Sequence, residues 1–122
     1  MPILSPTAIT KIPRPWGHEL VWASTDVYVG RLLHLRKGES ISRQYHTERQ
    51  ETLYLLSGTV LLTLSSRDEM HTRTMVPWEA YQIPAGMVHW LEALEDSQVV
   101  EVTIAHADEP VVGTEHPFAR MS

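Results

Sequence analysis

No stretch of this chain keeps a helical period; short apolar runs are separated throughout by turn-forming residues. The runs fall at 18–23, 27–35, 52–56, 60–64, 72–76, 80–83, 88–92 and 98–105. Between them lie Ser24-Thr25-Asp26, Lys37-Gly38, Ser57-Gly58, the polar stretch 65–69, Pro84-Ala85-Gly86 and Glu95-Asp96-Ser97. Several runs have β-branched or alternating character, as where Val99, Val100, Val102 and Ile104 interleave with Glu101 and Thr103. Many short strands at regular spacing predict an all-β sandwich or barrel. Prolines at 2, 6, 13 and 15 deny a helix to residues 1–15 and predict an extended arm lying on a body. Pro110 and Pro117 oppose a long helix in the tail, 107–122. The 122 residues fit a single domain, 1–122, with its body at 16–106.

Composition narrows the chemistry. The absence of cysteine excludes disulfides, thiol nucleophiles and cysteine-ligated zinc or iron–sulfur centres. At 43% hydrophobic and 20% charged, the chain has the makings of one real core. A formal charge of −5 opposes a general nucleic-acid binder. Residues 1–6 have no basic region and no apolar run, so no signal peptide is expected. The most apolar stretch, 53–64, is broken by Ser57, Gly58, Thr59 and Thr63 and is too short to cross a bilayer. A cytoplasmic domain without membrane or nucleic-acid partners is expected.

Seven histidines stand against that background. His18, His71 and His116 have polar or proline-flanked neighbours and read as surface residues, while His106 follows a strand. His34 lies inside a strand, where a half-buried imidazole is the simpler reading. His46 and His89 belong to a larger pattern. Gln44 and His46 are two apart, so an extended segment points both to one face. Glu51 opens the next strand, Gly58 supplies its hairpin turn, and Pro84 to Val88 close a tight turn that sets His89 at the start of another strand. A closed barrel can bring Gln44, His46, Glu51 and His89 to one point. Two imidazoles, a carboxylate and an amide oxygen suit a divalent first-row metal. A barrel that kept these residues without a metal is the competing reading.

The spacing Gly38-x5-Gln44-x-His46-x4-Glu51-x6-Gly58, followed by Pro84-x-Gly86-x2-His89, resembles the two-part motif of the cupins. The resemblance covers about residues 13–106 and implies a small double-stranded β-helix, or jelly-roll barrel, with a metal inside. Three positions depart from the pattern. Gln44 replaces the usual His, Trp78 the Gly that opens the second motif, and Ala93 the Asn near its end. In carrying Gln-x-His, and Arg14-Pro15-Trp16-Gly17 about 20 residues before Gly38, the chain is similar to the cupin domain of type II phosphomannose isomerases. The stretch Thr47-Glu48-Arg49-Gln50 departs from the adjacent histidines of that branch.

That likeness implies aldose–ketose interconversion of a sugar phosphate, with one divalent ion (zinc, manganese, iron, cobalt or nickel) steadying an enediolate. A general base is needed; His34 and Glu101 are the strand residues considered for it. Phosphate calls for a cation, and Arg31, Arg36, Arg43 and Arg49 lie near the first motif. Arg31 shares the parity of Leu33 and Leu35, so it and His34 are the candidate catalytic pair. Tyr54, Tyr81 and Met87 are expected at the pocket mouth, with Trp90 and Tyr45 facing away from the metal. His46, Glu51 and His89 also fit an iron or manganese dioxygenase, and a non-catalytic sugar-binding module is a third possibility. A homodimer formed through the N-terminal arm is expected.

Overall fold

A computed structural model describes residues 4–43, 45–46, 50–66, 68–105 and 111–112, with 43, 45–46 and 111–112 described by backbone alone. The described residues form strands and turns and contain no helix. In chain order the strands are β1 (Thr10–Arg14), β2 (Gly17–Ser24), β3 (Tyr28–Leu35), β4 (Ser40–Arg43), β5 (Tyr45–His46) and β6 (Glu51–Ser57). They continue as β7 (Val60–Ser66), β8 (Glu69–Met75), β9 (Ala80–Ile83), β10 (Val88–Ala93), β11 (Ser97–Ile104) and β12 (Val111–Val112). Three antiparallel sheets result, ordered β1-β2-β3-β11-β6-β9, β4-β10-β7-β8 and β12-β5.

Side-chain alternation explains how the two larger sheets meet. Along β11, Ser97, Val99, Glu101 and Thr103 are buried while Gln98, Val100, Val102 and Ile104 face outward. Their inward partners on β3 and β6 include Leu33, Leu35, Leu53 and Leu55, all buried. Ile41, Val60, Leu62, Met75 and Leu91 answer from the four-stranded sheet, completing a sandwich core.

Two glycines fix the corners. Arg14-Pro15-Trp16-Gly17 is the tight link between β1 and β2, with Trp16 buried in the core. Arg36 bonds back to it twice, from its backbone N–H to the Trp16 carbonyl (3.0 Å) and from its guanidinium to the Pro15 carbonyl (2.6 Å). Gly17, at φ 152°, lies so close to the His34 carbonyl that a Cβ would collide with it. Gly58, at φ 93°, turns β6 into β7 against Asp96 and Ser97, leaving no room for a Cβ. The Arg-Pro-Trp-Gly segment is therefore a structural clamp.

Some boundaries differ from the sequence reading. Within residues 1–15, Thr10–Arg14 pairs with β2 as the sheet's edge, where Pro13 is tolerated. The break expected at 65–69 shrinks to a turn, because Ser65↔Met70 and Ser66↔Glu69 extend the β7–β8 ladder.

Candidate metal centre

Charge collects on the inner face of the six-stranded sheet. Glu101, on β11, is 1% exposed, and its Oε1 accepts a hydrogen bond from Arg31 Nη1 at 3.1 Å. Arg31 also lies 3.8 Å from Glu19 Oε1, which takes a second hydrogen bond, 3.1 Å, from Arg14. Two arginines thus neutralise two buried carboxylates, the condition under which such groups can be buried at all.

Further along the same face stands Glu51, 7% exposed, whose register partners are Thr103 and Ile83. Opposite it, on the other sheet, is His89, 3% exposed, between Arg43 and Leu64 in the ladder. The turn from Pro84, in which Met87 N–H bonds the Pro84 carbonyl at 3.3 Å, delivers His89 to that row. His89 Nε2 and Glu51 Oε2 are 2.9 Å apart. Among the described residues, neither ring nitrogen of His89 makes a hydrogen bond, although both are buried. Such an imidazole is costly unless something binds it. For bonds of about 2.1 Å, adjacent ligands of an octahedral ion stand roughly 3.0 Å apart, so the pair has the spacing of two donors on one cation.

The remaining proposed ligands are less fully described. Gln44 lies outside the described residues, as does the side chain of His46. The β4 ladder ends at Arg43, and the backbone of Tyr45–His46 pairs with Val111–Val112 in a separate sheet. Among the described residues, no group of three or more histidines or carboxylates is arranged to hold an ion. The described half of the donor set fits a divalent metal.

His34 requires correction. Its parity opposes that of Arg31, so both cannot face inward, and it lies on the outer face. There it stacks on His18, with centroids 4.9 Å apart and planes 7° from parallel, and Gln98 Nε2 reaches its Nδ1 at 3.5 Å. Burial, then the charges of Lys11 and His34, lower the His18 pKa below its usual value. Arg31 does point inward, yet it is engaged by Glu101 and Glu19 and is not a free cation for phosphate. Arg36 is turned to Pro15, and the Arg43 and Arg49 side chains, with His106 and His116, lie outside the described residues. Trp90 occupies the face opposite His89, as alternation predicted, and Met87 packs against the core.

A cavity of about 290 Å³ opens where edge strands β8 and β9 face each other, lined by Leu62, Leu64, His71, Thr72, Arg73 and Tyr81. Tyr81 was expected at the pocket; Tyr54 instead has the outward parity, opposite Val100. Arg73 was missed. Counting back in twos from buried Met75 gives Arg73 and His71 the core parity, the one signal in an otherwise polar strand.

Comparison with known proteins agrees with this architecture. KdgF from Halomonas sp. superposes with a TM-score of 0.70 at 19% identity, covering 84% of this chain and 91% of that one. The capsular polysaccharide assembling protein CapF from Staphylococcus aureus gives 0.69 at 16% identity, over 92% of this chain and 33% of that one. The β-conglycinin β subunit 1 of Glycine max is 30% identical over 66 residues, 54% of this chain but only 15% of its own length. No helix among the described residues is long and apolar enough to cross a membrane. The cupin domain description matches residues 31–105, and with the two-sheet barrel around Glu51 and His89 it establishes that this chain belongs to the cupin domain family.

Proposed function

We propose that this chain is a metal-dependent isomerase of small sugar phosphates, its ion held by Gln44, His46, Glu51 and His89. The observation that carries the reading is the buried Glu51–His89 pair, 2.9 Å apart, with both imidazole nitrogens without hydrogen bonds among the described residues. Gln44 and His46 come one and three residues after Arg43 in the sequence, and the pairing of the Arg43 backbone with His89 supports assigning them to the same ion. Held by these residues, a divalent ion would supply Lewis-acid polarisation of a carbonyl and offset negative charge developing beside it.

The protein's own groups do the rest. Glu101 lies on the face of Glu51, two residues along β11 from its register partner Thr103. It is the carboxylate we assign to carry the proton between adjacent carbons. Arg31, bonded to Glu101 Oε1, is a positioning residue that holds the carboxylate in place. Buried Leu53, Leu62 and Leu91 keep bulk water from the surroundings of the pair. The homodimer belongs to the same reading: Trp22, Leu56, Val102 and Ile104 leave an apolar patch on the outer face of the six-stranded sheet.

Metal analysis and a coupled assay following mannose 6-phosphate to fructose 6-phosphate test the proposal. The expected result is one bound divalent ion and turnover that a chelator abolishes. His89→Ala loses the ion but keeps the far-UV spectrum, whereas Glu101→Gln keeps the ion and loses about 100-fold or more in turnover. Fully metallated protein inactive on every hexose and pentose phosphate overturns the isomerase reading. Oxygen uptake with diketones or catechols would assign the dioxygenase instead.

A further inference from the structure

We infer that the cavity between β8 and β9 is an anion subsite, in which Arg73 holds the carboxylate or phosphate of a substrate whose reacting end lies at Glu51 and His89. The inference rests on the proposed role of that pair and adds what the far end of the substrate must carry.

The distribution of charge is the first support. Arg14 and Arg31 reach the inner face but are consumed by Glu19 and Glu101. Arg73 makes no ion pair with a carboxylate among the described residues. Its guanidinium carbon stands 5.9 Å from the centroid of the Tyr81 ring. A cation held over a ring leaves its in-plane N–H donors available to an anion in the fork geometry that carboxylates and phosphates accept.

Strand register supplies the second support. Arg73 pairs with Leu62, and Leu62 with Leu91, so Arg73 shares a face with the core. One row along, His71 pairs with Leu64, and Leu64 with His89. The cavity therefore begins one strand from His89 on the same inner face. Two interstrand spacings separate His89 from the outer wall, roughly 10 Å. A pentose- or hexose-sized molecule with a terminal anion spans that interval. Leu62 and Leu64 give the cavity an apolar wall, against which a charge-assisted bond is stronger than in water. About 290 Å³ lies near the lower end of ligand-site volumes, roughly 300 Å³. At the rim, His71 is held by Glu69 at 3.2 Å, which leaves Arg73 as the anchor.

Calorimetric titration of the full chain with glucose 6-phosphate, gluconate and glucose separates phosphate, carboxylate and neutral probes of similar size. At least one anion is expected to bind about tenfold tighter than glucose. Arg73→Gln should remove that preference without changing glucose affinity, Arg73→Lys should keep part of it, and Lys37→Gln should behave as wild type. Whichever anion loses more on Arg73→Gln names the terminal group. Anions that bind no tighter than glucose, or an Arg73→Gln loss shared equally by glucose, would overturn the inference. Repeating the titration on chelator-treated protein keeps the two readings apart. An Arg73-dependent anion preference in protein that takes up no metal sustains the subsite while the metal reading falls. Metal uptake without that preference does the reverse.

Discussion

Trp78 sits in the turn between β8 and β9 at φ 78°, in the left-handed region, with its ring 78% exposed. An L side chain there is strained, and this ring recovers little by burial. The motif that the chain resembles has Gly at this position. Trp78→Gly should therefore stabilise the fold by about 0.5–1 kcal/mol, the relief of strain exceeding the extra entropy of a glycine in the unfolded chain. Urea unfolding followed by circular dichroism measures it; an unchanged or lowered midpoint would contradict the account. Residue-scale reading of the sequence singled out Glu51 and His89, which the fold sets 2.9 Å apart, because their spacing is local to a motif and a turn. It oriented Arg31 correctly from Leu33 and Leu35. What it missed were Arg31's partners, since Glu19 and Glu101 come from strands distant in the chain and only the closed sheet brings them together. It also granted His34 an inward orientation that the same alternation forbids.

Among the elements, those with mixed apolar and polar faces were legible and those without were not. The strands β2, β3, β6, β7 and β9 to β11 carry apolar runs that mark them in sequence, and of β8 only the part from Thr72 was marked. Ser40–Arg43 has one apolar residue, Ile41, and becomes a strand because β10 offers it a ladder. Glu69–Thr74 is exposed throughout, so only the parity counted back from Met75 marks Arg73 as facing the cavity. The β6–β7 hairpin illustrates how elements are tied across the fold. Gly58 turns against the Ser97 segment, and Ser97 Oγ accepts from Thr59 N–H at 3.1 Å. Gly58→Ala should cost about 2 kcal/mol or more, since both its φ and the neighbouring backbone refuse a Cβ. A thermal melt within a degree of wild type would show that the hairpin can relax.

For the whole molecule, the two large sheets are unlike in their outer faces. The six-stranded sheet exposes Trp22, Leu56, Val102 and Ile104, and the homodimer proposed above would cover them. Light scattering should give twice the chain mass, with Val102→Lys shifting it toward the monomer; a monomer at all concentrations would remove the dimer. The barrel's interior is equally lopsided. Its paired charges lie toward β1, β2 and β3, while the cavity opens at the seam of β8 and β9, the terminal strands of their sheets. A doorway framed by two sheet edges is bounded by hairpins and not by core packing. Lengthening the link between Ser66 and Glu69 or the turn at 77–79 would therefore resize the cavity mouth while leaving Glu51 and His89 untouched. Such a frame lets one barrel be refitted to differently sized guests without rebuilding its centre.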